Sequence, residues 1–173
     1  MLKNKAFAWV IAIIIMMLSV IAGAYTSYMG MRNAAVEAFE REMMPLVNEA
    51  MIHAHDMQSI AQNYVSAADI ATIGISRIVA EIQAVADPQQ VYQQFVLLNR
   101  AAWAIYDRLI GDDIAMSDTN RTLLINSHTN FLQMDLILSQ AGYNNTAGNF
   151  NDTLRNGLGF LVEPFINEMP RFD

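Results

Sequence analysis

The sequence predicts an all-α protein: an N-terminal transmembrane helix followed by an antiparallel helical bundle with long helices. Three observations carry this expectation. An uncharged apolar run fills most of the first thirty residues, apolar side chains then recur at steps of three and four, and short polar connections divide the later stripes. Such steps keep side chains on one face of a helix, and short connections make neighbouring helices antiparallel. The 173 residues are enough for one domain with a real core. The expected organisation is a cytoplasmic N-terminus and anchor over residues 1–29, a helical bundle over 30–156 and an apolar C-terminal tail over 157–173.

Between Lys5 and Arg32 no residue is charged, and AFAWVIAIIIMMLSVIAGAY fills that gap. About 20 mostly apolar residues at ~1.5 Å each match the ~30 Å hydrocarbon core, so residues 6–25 are expected to lie in the lipid bilayer. A cleaved signal peptide is the competing reading, because Lys3 and Lys5 form a positive leader and Ala22-Gly23-Ala24 looks like a cleavage site. The run exceeds the ~7–15 residues of a signal peptide's apolar core, and Tyr25 and Tyr28 stand where interfacial aromatics stand; both favour a retained signal anchor. The positive-inside rule then places the N-terminus in the cytoplasm and the rest outside the cell membrane. Both lysines precede the segment, leaving 8 arginines against 17 acidic residues, a formal charge of −9, in the exported part. That acidity argues against nucleic acid as a partner and against a polybasic grip on anionic lipid.

Beyond the anchor, Ala35, Phe39, Met43, Leu46, Ala50, His53, Met57, Ile60, Tyr64, Ala67, Ala71, Gly74, Ile78, Ile82 and Val85 trace one face of a long, interrupted helix. Pro45 either kinks it or begins a new helix, and Ser66 to Asp69 and Gly74 are the next weak points. Asp87-Pro88 supplies an N-cap followed by proline at the first helical position. From there Val91, Phe95, Leu98, Ala102, Ile105 and Leu109 form a second stripe, ended by the connection GDDIAMSDTN. A third stripe runs through Ile125, Leu132, Leu136, Tyr143, Ala147, Phe150 and Leu154. Within it YNNTAGNFNDTL places Tyr143-Asn144 and Phe150-Asn151 seven residues apart. A seven-residue step drifts only ~20° on an α-helix, so both rings face the core and both asparagines share a flank. Gly142, Asn144, Asn145 and Gly148 keep a turn open as the rival reading. In the tail, Gly157, Gly159, Pro164 and Pro170 stop any regular helix, and its apolar residues either cap the bundle or lie on the bilayer surface.

Chemistry is sparse. Cysteine is absent, which removes thiolate metal sites, disulfides and a cysteine nucleophile. His53 and Asp56 share a helical face and could give two metal ligands, but nothing completes the set, and His53 reads better as a satisfied residue on the core-facing stripe. Glu37 and Arg41 make an ordinary surface pair, and Asp112-Asp113 lacks the spaced oxygens of a calcium loop. No nucleophile elbow, phosphate loop or zinc motif is present, so the sequence implies no enzyme and no cofactor. Asn144 and Asn151 either hydrogen-bond between helices and fix register or sit solvated at the stripe's edge.

The anchor, the segment MRNAAVEAF with Arg32, Asn33, Glu37 and Ala38, and the late repeat with Tyr143, Asn144, Ala147, Phe150 and Asn151 together resemble a divergent LemA family protein. Departures are the early Met44-Pro45 step and Gly157-Leu158-Gly159 where the family has Phe-Pro. The resemblance implies a bacterial single-pass membrane protein with a helical-bundle domain, and makes Arg32, Asn33, Glu37, Tyr143, Asn144, Phe150 and Asn151 the candidate structural or interaction residues. The expected function is a scaffold or protein-interaction module of the cell envelope that binds an envelope protein. A ligand-sensing ectodomain acting through a partner is the alternative, since no second uncharged run is long enough to cross a membrane.

Overall fold

The computed structural model describes residues 2–172, with the side chains of residues 2–4, 6, 71 and 72 left aside. Lys3 and Ala71, which carry parts of the expected orientation and first stripe, lie outside those described side chains. Every regular element among the described residues is helical. α1 (Leu2–Glu42) runs for 41 residues, ~60 Å at the α-helical rise, so the apolar segment and the first bundle helix are one rod. It ends because Pro45 has no N–H to give the Arg41 carbonyl. Pro45 lies instead in the first turn of α2 (Met44–Ala61), where that missing donor costs nothing.

The expected long first stripe continues through two short helices. α3 (Ala67–Ile73) opens with Ser66, whose hydroxyl accepts from the Asp69 N–H at 3.1 Å. Gly74, at φ 74°, joins it to α4 (Ile75–Ala84). α5 (Pro88–Tyr106) is capped as the sequence predicts: Asp87 Oδ1 accepts from the N–H groups of Gln89 and Gln90 at 3.0 and 3.2 Å. A π-helical turn over Asp107–Gly111 closes α5, and Ser117 caps α6 (Asp118–Gln140). α7 (Gly142–Arg155) follows after the single extended residue Ala141. Two short 3-10 turns, Gly159–Leu161 and Glu163–Phe165, lead into the irregular end.

α2 lies along α6 and also meets α1, α4 and α5, while α1 packs on α7 and α4 on α5. One apolar core runs from Ala24 of α1 through all of these to Phe172 in the tail. The second stripe is buried throughout, from Val91 to Leu109. The first and third match the core only in part. In α2 the inward residues include Val47, Ala50, Ala54, Met57 and Ala61, so Ala50 and Met57 of the expected stripe are buried while Leu46, His53 and Ile60 are only half-buried; in α3 it is Ile70 that is buried and Ala67 that is exposed. In α6 the core takes Leu124, His128, Phe131, Met134 and Leu138, and leaves Ile125 and Leu136 exposed. Through Pro45 the buried positions keep their steps of four and three, from Phe39 and Met43 to Val47, Ala50, Ala54, Met57 and Ala61, so the expected stripe errs only in taking Leu46, His53 and Ile60 one residue too early. At Ala141, which is extended, the helical phase is reset, and a stripe counted back across it into α6 lands off the core.

The break at Ala141 also settles the two readings of the glycine-rich stretch. Gly142 is the first residue of α7 rather than a helix interior, and the segment from it to Arg155 is helical. The turn that the sequence keeps open is confined to Ala141.

Candidate functional site

α7 presents Tyr143, Asn144, Ala147, Phe150, Asn151 and Leu154 to the interior. The seven-residue repeat thus places two rings and two amides on one buried face, and what they meet is the chain's own end. Gly157, at φ 63°, turns the chain after α7, and at Gly159 an added Cβ would overlap the Leu154 carbonyl. Gly157 takes a backbone conformation that residues with a side chain rarely adopt and Gly159 has no room for a Cβ, so these glycines fold the tail back along α7. Val162, Ile166, Met169 and Phe172 are then buried in turn, despite Pro164 and Pro170.

Polar contacts fix the tail's register. Asn151 Oδ1 accepts from the Met169 N–H at 2.8 Å, and its Nδ2 donates to the Met169 carbonyl at 2.9 Å. Asn144 repeats the arrangement three residues on: Oδ1 accepts from the Phe172 N–H at 2.9 Å and Nδ2 donates to the Phe172 carbonyl at 3.2 Å. The same Nδ2 reaches the carbonyls of Leu138 and Ser139 at 2.8 and 3.0 Å, so two hydrogens serve three acceptors and also close the end of α6. Tyr143 Oη donates to the Pro170 carbonyl at 3.0 Å. Burial, and next the negative charge of Asp87, raise the Tyr143 phenol's pKa, so it remains a neutral donor.

These side chains imitate a β-strand. A primary amide offers one donor and one acceptor in the geometry of a peptide group, so each asparagine satisfies both main-chain groups of one tail residue that lies outside any helix. Gripping Phe172 places its ring among Phe39, Tyr92 and Phe95 at centroid distances of 6.0, 5.0 and 5.7 Å. Phe39 in turn meets Tyr143 edge-on at 5.3 Å. The arrangement binds and orders an extended apolar segment.

The early candidates fare differently. Arg32 Nη2 donates to Asp87 Oδ2 at 3.3 Å, joining α1 to the cap of α5. Asn33 and Glu37 are exposed on α1, away from the α7 face. His53 is half-buried beside exposed His55 and Asp56, so the expected core position belongs to Ala54. His128 is instead the buried histidine, stacked on Tyr106 at 3.9 Å with Trp103 edge-on at 4.6 Å. Its burial lowers its pKa.

Two features escaped the sequence reading. Steps of four, three and three link Val162, Ile166, Met169 and Phe172, a periodicity masked by the two prolines. A cleft of about 460 Å³ between α5 and α6 is lined by Tyr92, Phe95, Asn99, Asp135, Leu132 and Phe172, among others. Burial raises the Asp135 pKa, and the Asn99 amide donated to it at 3.0 Å partly offsets this. No protein-family model matches the chain, and no curated protein or solved structure matches it significantly.

Proposed function

We propose that this chain is a membrane-anchored, non-enzymatic helical bundle of the bacterial cell envelope, acting as a scaffold or protein-interaction module. One observation carries the reading: α1 is a single helix whose two ends have opposite surroundings. It is long and apolar enough to cross a membrane, and only 6% of its most apolar window is buried in the protein. A core helix of a soluble domain would be covered there. The other end, from Ala35 to Phe39, belongs to the core, so a rigid rod would hold the bundle against the bilayer. Lys5 before the apolar run and the acidic balance after it support a cytoplasmic N-terminus and an exported bundle. Contacts at both ends of α6 support antiparallel packing on α2: Asn120, near its start, donates to Tyr64 beyond the end of α2 at 2.6 Å, while Gly142, past its end, faces Glu42 before α2 begins. The order of anchor, Arg32-Asn33 segment and aromatic–asparagine repeat supports a LemA-like plan.

Placing a charge in the span tests this. Ile14→Arg adds about 2.5–3.5 kcal/mol to insertion at a helix centre, so the protein should shift from the membrane to the carbonate-extractable fraction. Extraction of the unaltered protein by carbonate, or survival of its bundle in protease-treated spheroplasts, overturns the anchored and exported reading. Crosslinking in intact cells then identifies the envelope partner.

The α5–α6 cleft favours ligand sensing as a second reading, since an apolar wall and one half-buried carboxyl group suit a small amphiphile. Stabilisation of the protein by one ligand class in a thermal-shift panel supports it, and a flat panel removes it.

A further inference from the structure

We propose that the segment from Leu158 to Phe165 is a lipid-binding wedge, by which the foot of the bundle enters the outer leaflet of the bilayer beside α1. This rests on the membrane-anchor reading above and adds a second point of contact with the same membrane. The first ground is exposure. Phe165 is 72% and Phe160 63% exposed, more than any other large apolar residue described outside α1, and Leu158 between α7 and the turns is 48% exposed. Three such side chains within eight residues leave a bulky apolar patch that folding does not cover.

The second ground is position. Phe165 and Val162 form one wall of a groove of about 650 Å³ whose other wall is Leu18, Ile21, Ala22 and Tyr25 of α1. Leu158 lies in a neighbouring groove with Val20, Gly23 and Ala24. At ~1.5 Å per residue, Leu18 stands ~20 Å and Tyr25 ~30 Å beyond Lys5, which is the outer edge of a ~30 Å hydrocarbon core. The turns are therefore alongside the last turns of the span, at the level where acyl chains give way to headgroups.

The backbone and charge of the segment suit that level. Irregular main chain is not tolerated deep in lipid because its polar groups go unpaired. Here the turns pair internally, through Leu161 to Leu158, Val162 to Gly159 and Phe165 to Val162 at 3.1, 2.9 and 2.8 Å. Glu163 is the one charged residue between Arg155 and Glu168, and its carboxylate holds the backbone at the headgroups while the rings reach below. With an acid and no base in the wedge, burial of apolar area drives insertion, so neutral phosphatidylcholine suffices as partner.

The test uses the full chain in phosphatidylcholine vesicles, with Trp9 and Trp103 as the two natural reporters. One protein carries Phe165→Trp with Trp9→Phe and Trp103→Phe; two others keep only Trp9 or only Trp103. Far-UV circular dichroism and a thermal melt establish that each retains the fold. The expected result is that the Phe165→Trp indole loses emission to lipids brominated near the headgroup and is shielded from acrylamide, whereas Trp103 behaves in the opposite way. If that indole is quenched by acrylamide as fully as Trp103 and ignores brominated lipid while Trp9 responds to it, the wedge is overturned and the anchor stands. If Trp9 also ignores brominated lipid, both are overturned.

Discussion

The two halves of α1 share a backbone and differ in what surrounds them. Phe7, Trp9, Ile14 and Leu18 are exposed along the first half, while Ala35 and Phe39 in the second are 0% and 1% exposed. Both halves carry apolar side chains, but the second also carries Arg32, Glu37, Glu40, Arg41 and Glu42, whereas the first has no charge after Lys5. The second half has α7 and the returning tail against it, whereas the first is approached near its end, where Val162 and Phe165 of the tail share a groove with Leu18 and Ile21. An apolar helix so little covered requires another solvent, and a bilayer is the proposed one.

The sharpest way to break that comparison is to delete the same kind of side chain from each half. Phe39→Ala opens a cavity beneath Tyr143 and Phe172 and should cost about 3–5 kcal/mol of bundle stability. Ile14→Ala should leave it unchanged. Urea unfolding in mild detergent, followed by near-UV circular dichroism, compares the two, and equal losses would mean that the first half is part of the folded core.

A smaller effect is expected from the amides that hold the tail over Phe39. Asn151→Ala leaves the Met169 N–H and carbonyl unpaired, and Asn144→Ala does the same to Phe172, each costing about 1–3 kcal/mol. Amide hydrogen exchange should accelerate at Met169 or Phe172 according to which asparagine is removed. Uniform acceleration over α7 would instead point to loss of the helix itself.

His128 gives a pH test confined to the bundle. Because burial depresses its folded pKa, the unfolded chain takes up the proton first, near pH ~6.5. Its contribution is intact above that value and is lost as pH falls from there through the folded pKa. His128→Phe, which retains a ring against Tyr106, should flatten the fall in Tm below pH ~6.5. An unchanged slope would assign the acid sensitivity to other groups.

The smallest effect belongs to the junction of the two halves. Arg32→Gln removes a partly exposed ion pair and should cost under ~1 kcal/mol. Asp87→Ala also removes the cap of α5 and should cost ~0.5–2 kcal/mol. The order of the two in urea unfolding is the readout: an arginine that matters more than the cap would make the α1–α5 tie, rather than local capping, the dominant contact.

Helicity, the apolar run and the Asp87-Pro88 start were legible in the sequence because each is local: spacing, hydropathy and a cap are written within a few residues. The stripe from Val91 to Leu109 was also legible, since no break interrupts its phase before Tyr106. Ile125 and Leu136 were misplaced because Ala141 resets that phase, and Leu46 and His53 because the apolar neighbours Val47 and Ala54 fit the same steps one residue on. The partners of Asn144 and Asn151 were not legible at all. They lie 28 and 18 residues away along the chain, and an asparagine beside a stripe reads the same whether solvent or a tail lies against it.

By itself, then, the sequence determined that the chain is helical, that its opening segment is too apolar and too long to be an ordinary surface helix, and that two aromatic–asparagine pairs share one face. Only the tertiary structure decided which faces turn inward after each break, that the tail folds back along α7, and that both amides are spent on its backbone. Local propensity sets spacing within a helix; the angle between successive helices and the occupant of a groove are set by contacts between residues distant in the chain, which no local pattern encodes.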